Sequence, residues 1–207
     1  MKKPQEIKRF EIRLSGFGGQ GLITLGRLLG SALALGHGYY VTQTQSYGPE
    51  ARGGSSRADL VVSSQPISYP KTEQLDLLVA LSQEACNGYY PYLKRTGLLV
   101  VDTTLVKHTP TNVFLGLPFT QMARDQIGNP LTINTLVMGA VSHLLDFADV
   151  KLMRKGLEAN MPAKIVDVNV KAFTLGLKQA KKHFGDAHGL WAAAEVNGSA
   201  EVETDHE

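Results

Sequence analysis

The chain is poor in cysteine: Cys86 is the only one among 207 residues. That scarcity excludes an internal disulfide, and it excludes any four-cysteine iron–sulfur or Cys-x-x-Cys metal site made by this chain alone. Cys86 sits in an apolar helical stretch with no His close behind it, which reads as a small buried side chain rather than a nucleophile. Also missing is any run approaching the ~20 apolar residues that a membrane span requires. Met1-Lys2-Lys3-Pro4-Gln5-Glu6 is basic but leads into no apolar leader core, so a soluble, cytoplasmic protein is the default expectation. Lys and Arg are absent from residues 186–207, which carry six acids (Asp186, Glu195, Glu201, Glu203, Asp205 and Glu207). Ahead of them stand 21 basic and 13 acidic residues, a net of +8. A basic body suits an anionic ligand or an acidic partner protein, or is simply a solvated surface with a solubilising tail. The basic residues are scattered rather than interleaved with aromatics, so nucleic acid is not expected.

What the chain does have is a glycine-rich corner. Phe10, Ile12 and Leu14 alternate as in a strand, which ends in Ser15-Gly16-Phe17-Gly18-Gly19-Gln20-Gly21 and passes at once into an apolar helix pattern. Strand, Gly-x-Gly-x-x-Gly, helix is the context in which the motif has physical meaning. Gly16 can make a tight turn, Gly18 lets backbone approach an anion, and Gly21 allows the helix to pack closely on the strand. The new helix then aims free N–H groups and its positive dipole end at the corner. A phosphate-holding corner and a purely structural turn both satisfy this pattern. A nicotinamide dinucleotide site would want an acid at the end of the second strand, roughly 20 residues on. Tyr39-Tyr40-Val41-Thr42-Gln43-Thr44-Gln45 offers none, and a plain NAD site is disfavoured.

Leu22, Leu25, Leu29, Ala32 and Leu33 predict a helix over about 21–35, stopped by Gly36 and Gly38. His37 reads as a helix-end residue, favourable there as a cation, rather than a metal ligand. A strand at about 39–44 leads into Ser46-Tyr47-Gly48-Pro49-Glu50-Ala51-Arg52-Gly53-Gly54-Ser55-Ser56-Arg57, a long loop of the kind that carries function. Glu50 and Arg52 can pair with each other, or present a carboxylate and a guanidinium to a ligand or partner, with Gly53 and Gly54 permitting close backbone approach. Strands at about 58–63, 76–81 and 97–102 and a helix at about 83–94 follow; apolar runs alternating with helices predict a mainly parallel sheet. Asp102, at a strand's carboxyl end, either faces a ligand or caps the next turn. A short strand at 112–115 and helices at about 117–127, 131–147, 150–159 and 163–184 complete the pattern, with His143 at the edge of an apolar face. The fold class is α/β: a single domain with a Rossmann-like, mostly parallel sheet flanked by helices. It divides into a basic arm over 1–9, the domain over 10–185 and a flexible acidic tail over 186–207.

Taken together, Gly16-Phe17-Gly18-Gly19-Gln20-Gly21 and Tyr47-Gly48-Pro49-Glu50-Ala51-Arg52-Gly53-Gly54 resemble the gamma subunit of 2-oxoacid:ferredoxin oxidoreductases. Ser64-Gln65-Pro66-Ile67, Gly128-Asn129-Pro130 and Asn169-Val170-Lys171-Ala172-Phe173 continue the resemblance, which spans about residues 10–184. The Tyr-Gly-Pro-Glu-x-Arg-Gly-Gly form is more similar to the 2-oxoglutarate branch than to the pyruvate branch. The resemblance implies a non-redox subunit of a complex that converts 2-oxoglutarate, CoA and oxidised ferredoxin to succinyl-CoA, CO2 and reduced ferredoxin. It implies alpha and beta partner subunits, with a ferredoxin-like delta subunit as a further candidate, and ferredoxin as acceptor. Thiamine diphosphate, magnesium and iron–sulfur clusters would sit in those partners; the chain shows no Gly-Asp-Gly thiamine signature. This chain would supply no catalytic residue, no metal ligand and no cofactor of its own. Gly16, Gly18, Gly19, Gln20 and Gly21 would face CoA phosphates or a partner's backbone. Tyr47, Glu50, Arg52, Gly53 and Gly54 would form an interface or active-site loop. The alternatives are a gamma subunit for pyruvate or another 2-oxoacid, and a stand-alone nucleotide-binding protein.

Overall fold

The computed structural model describes residues 5–47 and 55–194. Six strands form one sheet in the order β2-β3-β1-β4-β5-β6, comprising β1 (Phe10–Phe17), β2 (Tyr40–Tyr47), β3 (Ser55–Ser63), β4 (Leu75–Ala80), β5 (Leu93–Asp102) and β6 (Leu115–Leu117). Strands β1, β4, β5 and β6 are parallel neighbours, and β3 runs antiparallel to both β1 and β2. The sheet is mostly parallel, as the alternating pattern implies, with one exception. Strand β3 occupies the place beside β1 that β2 would hold in a simple β-α-β unit.

The helices are α1 (Leu22–Ser31), α2 (Gln83–Tyr89), α3 (Phe119–Met122), α4 (Ile133–Leu144), α5 (Val150–Ala159) and α6 (Val166–Phe184). Alternating strand residues divide the core between the two faces. Ile12, Leu14, Leu60, Val62, Leu77, Val79 and Val100 face α1 and α4 in the larger cluster. Leu78, Ala80, Leu99 and Val101 face Ala85 and Cys86 of α2 on the other side. Strands β4 and β5 are thus apolar on both faces, which explains their unbroken apolar runs. Burial lifts the Cys86 thiol above its ordinary range, in keeping with a packing role.

Helix α4 is buried on almost every side, because α6 closes over the face that α1 and the sheet leave open. The two helices meet through glycines. A Cβ on Gly139 would strike the Phe173 carbonyl, and one on Gly176 would strike the Leu136 carbonyl. At the same seam the Thr135 hydroxyl donates to Asn169 Oδ1 at 2.9 Å, and Asn169 Nδ2 donates to the Ile165 carbonyl at 2.8 Å.

Several elements depart from their expected form. Helix α1 ends at Ser31 and gives way to a wider π turn over Ala32–Gly36. His37 is a helix-end residue, but not as a cation. Its Nδ1 lies 2.9 Å from the Ala32 carbonyl and its Nε2 accepts the Asp149 N–H at 2.8 Å, the pattern of a ring protonated on Nδ1 alone. Strand β1 alternates as expected, yet its polar side is not solvated. Glu11 and Arg13 are 3% and 5% exposed. Arg13 makes a double hydrogen bond to Asp59 (2.7 and 2.9 Å) and stacks on Tyr89, while Glu11 Oε2 accepts the N–H groups of Glu73 and Gln74. The chain ends are also tied in further than expected. Ile7 N–H donates to Ser64 Oγ, so the arm is anchored before residue 10. Residues 187–194, expected to be flexible, form a helix. Trp191 explains the difference: its ring packs edge-on against Phe10 and its Nε1 donates to the Leu144 carbonyl at 2.8 Å, closing the end of α4. The remainder of the acidic tail, from 195, lies outside the described residues.

Gly176→Ala should lower unfolding free energy by about 3 kcal/mol in urea titrations, since rigid backbone rather than a movable side chain fills the space. A second expectation concerns Asp76, whose carboxylate accepts from Lys94 Nζ (2.7 Å) and from Glu11 N–H (2.8 Å). Burial outweighs these bonds and holds its pKa above the ordinary carboxylate value. The folded state therefore binds more protons than the unfolded one from the ordinary value up to the raised one, and stability falls as pH rises through that window. Asp76→Asn should remove that part of the slope in a denaturation series run against pH.

Candidate functional site

Register places the two informative stretches at one edge of the sheet. Phe17, at the carboxyl end of β1, pairs with Ser55, and Tyr47, at the carboxyl end of β2, pairs with Ser56. The glycine corner and the ends of the 48–54 connection are thus neighbours. Tyr47 closes β2; Glu50, Arg52, Gly53 and Gly54 lie outside the described residues. Both strands run further into the connection than alternation suggested, because Thr44, Gln45 and Ser46 are ladder residues despite their polarity.

Within the corner the glycines divide the work differently from the simple motif reading. Gly16 is not the turn: it is still in β1, paired with Ser56. Its missing side chain leaves room for the Gln20 amide, whose Oε1 would meet a Cβ there. Gln20 Oε1 accepts the Phe17 N–H at 2.7 Å, and its Nε2 donates to the Leu81 carbonyl at 3.2 Å, so Gln20 braces the loop against β4's end. The turn belongs to Gly19 and Gly21, with φ of 92° and 72°. Gly21 is the residue before α1, and it packs on α4 rather than on the strand: a Cβ would lie 2.7 Å from Asn134 Nδ2.

Helix α1 starts without a side-chain cap and without an acid in its first turn. Its first N–H groups have no intrahelical acceptors, and its dipole is positive at this end. Asn134 adds a donor. It is 7% exposed, its Oδ1 accepts the Thr135 N–H at 2.8 Å, and its Nδ2 has no hydrogen-bond partner among the described residues. The corner therefore presents uncommitted N–H groups from backbone and from one buried amide to a single place, an arrangement suited to an anion.

Asn134 is positioned by the Gly128-Asn129-Pro130 stretch. Asn129 is extended, as a residue before proline should be, and its Oδ1 accepts the Leu131 N–H at 3.0 Å to begin the turn that enters α4. The role of Asn134 was not anticipated from the sequence; the signal available was an Asn at the start of a helix that follows a Gly-Asn-Pro stop. Asp102 behaves as a cap. Oδ1 accepts the Thr104 N–H at 2.9 Å, and Oδ2 accepts both the Thr120 N–H and the Thr120 hydroxyl (3.0 and 2.5 Å). With its oxygens so engaged and no exposure, it offers nothing to a ligand. His143 bonds the Gly185 carbonyl at 2.7 Å. Among the described residues no group of three or more His, Cys, Asp or Glu side chains is placed to hold a metal ion. No helix among them is long and apolar enough to cross a membrane.

The absence of an acid after β2 has a different meaning in this topology. The acid test for a dinucleotide assumes that the second strand lies beside the first, with its end next to the corner. Here β3 intervenes, so the carboxyl end of β2 is one strand further away.

The chain has relatives among known proteins. The model of the family described as pyruvate ferredoxin/flavodoxin oxidoreductase matches residues 11–179. The chain is 40% identical over 186 residues to the 2-oxoglutarate synthase subunit KorC of Methanocaldococcus jannaschii, covering 88% of this chain and 100% of that one. It is 28% identical over 182 residues to the ketoisovalerate oxidoreductase subunit VorA of Methanothermobacter thermautotrophicus, covering 86% of this chain and 38% of the longer relative. Among solved structures, the gamma subunit of the keto/oxoacid ferredoxin oxidoreductase of Geobacter sulfurreducens superposes with a TM-score of 0.78 at 34% identity, covering 86% of this chain and 99% of that one.

Gly19→Ala should cost about 1 kcal/mol, the left-handed penalty alone, because a Cβ there meets nothing within 4 Å. Gly21→Ala should cost about 2–4 kcal/mol, because the same penalty is joined by overlap with Asn134. Thermal or urea unfolding of the two variants side by side checks the difference.

Proposed function

Because this chain belongs to the pyruvate ferredoxin/flavodoxin oxidoreductase family, we propose that it is the gamma subunit of a 2-oxoacid:ferredoxin oxidoreductase of the 2-oxoglutarate branch. The observation that carries the branch is the match along essentially the whole of a 2-oxoglutarate synthase subunit at 40% identity, against 28% to a ketoisovalerate oxidoreductase subunit. The complex would join 2-oxoglutarate and CoA to give succinyl-CoA and CO2 and pass two electrons to ferredoxin. Thiamine diphosphate supplies the electron sink for such a decarboxylation and iron–sulfur clusters carry the electrons. With one buried cysteine this chain cannot ligate a four-cysteine cluster, so those groups fall to alpha, beta and ferredoxin-like partner subunits.

The contribution of this chain is to bind and orient. The glycine corner fits an anionic group: backbone N–H groups at the start of α1 and the Asn134 amide would hold a phosphate of CoA, and Gln20 keeps the loop in shape. Phe17, 40% exposed at the corner's rim, would meet a partner subunit or the less polar part of the same ligand. The 48–54 connection, carrying Glu50 and Arg52, leaves the sheet beside the corner and would complete the interface.

Affinity-tagged chain purified from its native host should bring larger thiamine- and iron–sulfur-containing chains with it. The preparation should reduce a viologen dye with 2-oxoglutarate in a CoA-dependent way, and faster than with pyruvate. A chain that purifies alone and inactive overturns the subunit reading. Within an assembled complex, Asn134→Asp should raise the KM for CoA about tenfold with the KM for the 2-oxoacid unchanged, since a carboxylate replaces a donor beside the phosphate. An unchanged KM for CoA would give the corner to a partner's backbone instead.

A further inference from the structure

The two edges of the sheet are built differently. Strand β6 is three residues long, a short edge of the kind that resists pairing. Strand β2, at the other end, is eight residues long and reads Tyr-Val-Thr-Gln-Thr-Gln-Ser-Tyr. It contains no Lys, Arg, Asp, Glu, Pro or Gly, so each of the usual devices that blunt an edge strand is missing. Among the described residues the flanking chain does not cover it either. The 64–74 segment crosses the face of the sheet, where the Thr42 hydroxyl donates to the Pro70 carbonyl at 3.1 Å, and α1 lies over the opposite face, where Gln43 Nε2 donates to the Ile23 carbonyl at 3.3 Å. Every second residue of β2 therefore directs its backbone N–H and C=O away from β3, with no strand among the described residues to receive them.

We propose that β2 pairs antiparallel with β2 of a second copy of this chain, joining two six-stranded sheets across a two-fold axis centred at Thr44. This goes beyond the subunit reading and does not depend on which 2-oxoacid the complex uses. Self-pairing requires a strand to match its own reverse, and β2 does. An axis at Thr44 sets Gln43 opposite Gln45 of the other copy, two amides that each donate and accept. Thr42 then falls opposite Ser46 and Val41 opposite Tyr47, register pairs without like charges facing each other. An axis at Gln43 would instead set Val41 opposite Gln45. The Thr44 register also pairs residues of like parity, so both copies carry α1 on the same side of the joined sheet. Charge favours the same place. The chain before residue 186 carries a net +8, and an uncharged strand lets two such bodies meet without like charges at the seam. Both copies use the same edge, so the contact closes at two and cannot run on into a filament.

The full-length chain should sediment as a concentration-dependent dimer, and Gln45→Lys, which puts like charges at the seam, should sediment as a monomer with unchanged circular dichroism and melting. Thr44→Cys should form a covalent dimer under mild oxidation roughly tenfold faster than Glu158→Cys on the exposed face of α5. Native Cys86 is buried and will not compete. In the assembled complex the Thr44→Cys disulfide should again link two copies of this chain. A monomer at every concentration, with Thr44→Cys no faster than the control, overturns the proposal. A Thr44→Cys crosslink to a different subunit also overturns it, and assigns the edge to a strand of that partner.

Discussion

The close crossing of α4 and α6 is the constraint on which the rest of the molecule depends. Two glycines, Gly139 and Gly176, let each helix rest on a carbonyl of the other, and the Thr135–Asn169 hydrogen bond sets their register along the seam. Brought this near, α6 covers the side of α4 that faces away from the sheet, and a helix as apolar as Ile133–Leu144 has no surface left to expose. Trp191 then closes its far end at the Leu144 carbonyl. With its axis held by α6 and its beginning held by the Asn129 turn, α4 can deliver Asn134 to the glycine corner at a distance that leaves room for Gly21 and for nothing larger. The geometry of the corner is therefore set from the back of the domain as much as from the loop itself.

How much of this could be read from the sequence follows from how local each cause is. The runs in β4 and β5, the stop before Pro130 and the helix over 150–159, capped by Asp149, are local and legible. What could not be read was any feature that depends on the partner strand or helix. The polar residues of β1 look solvent-facing because alternation says only that they face the other side; the 64–74 segment and Tyr89 cover that side, and neither has any periodic relation to β1. The place of β3 between β1 and β2 is equally invisible, since a strand leaves no record of its neighbours in its own residues. Gly139 and Gly176 look like mild helix defects until the opposing carbonyls are in view.

The resembling motifs gain physical content in the same way. Ser64 ties the entry of β1 to the end of β3 through Ile7, Asn129 starts α4, and Asn169 pins α6 to it. Each of these residues bonds to another part of the chain, and together they hold the elements that frame the end of the sheet where the corner lies. A family pattern distributed over about 170 residues can thus be largely a pattern of supports, with few positions left to touch chemistry.

The insertion of β3 changes what the glycine corner can be asked to recognise. In a simple dinucleotide site the strand beside β1 ends in an acid that reads the ribose, while the helix N-terminus holds the phosphates. Here the neighbouring position belongs to an antiparallel strand, which presents its beginning, Ser55 and Ser56, rather than its carboxyl end. The uncapped helix start of such a device is present, and no carboxyl end of a strand stands beside β1 where the ribose half would be. Under the proposed function, an anion held there would be gripped through its charge and through backbone geometry, and discrimination between one phosphorylated ligand and another would fall to groups outside the corner. A corner of this kind is suited to a domain that shares its site with partners rather than one that completes it alone.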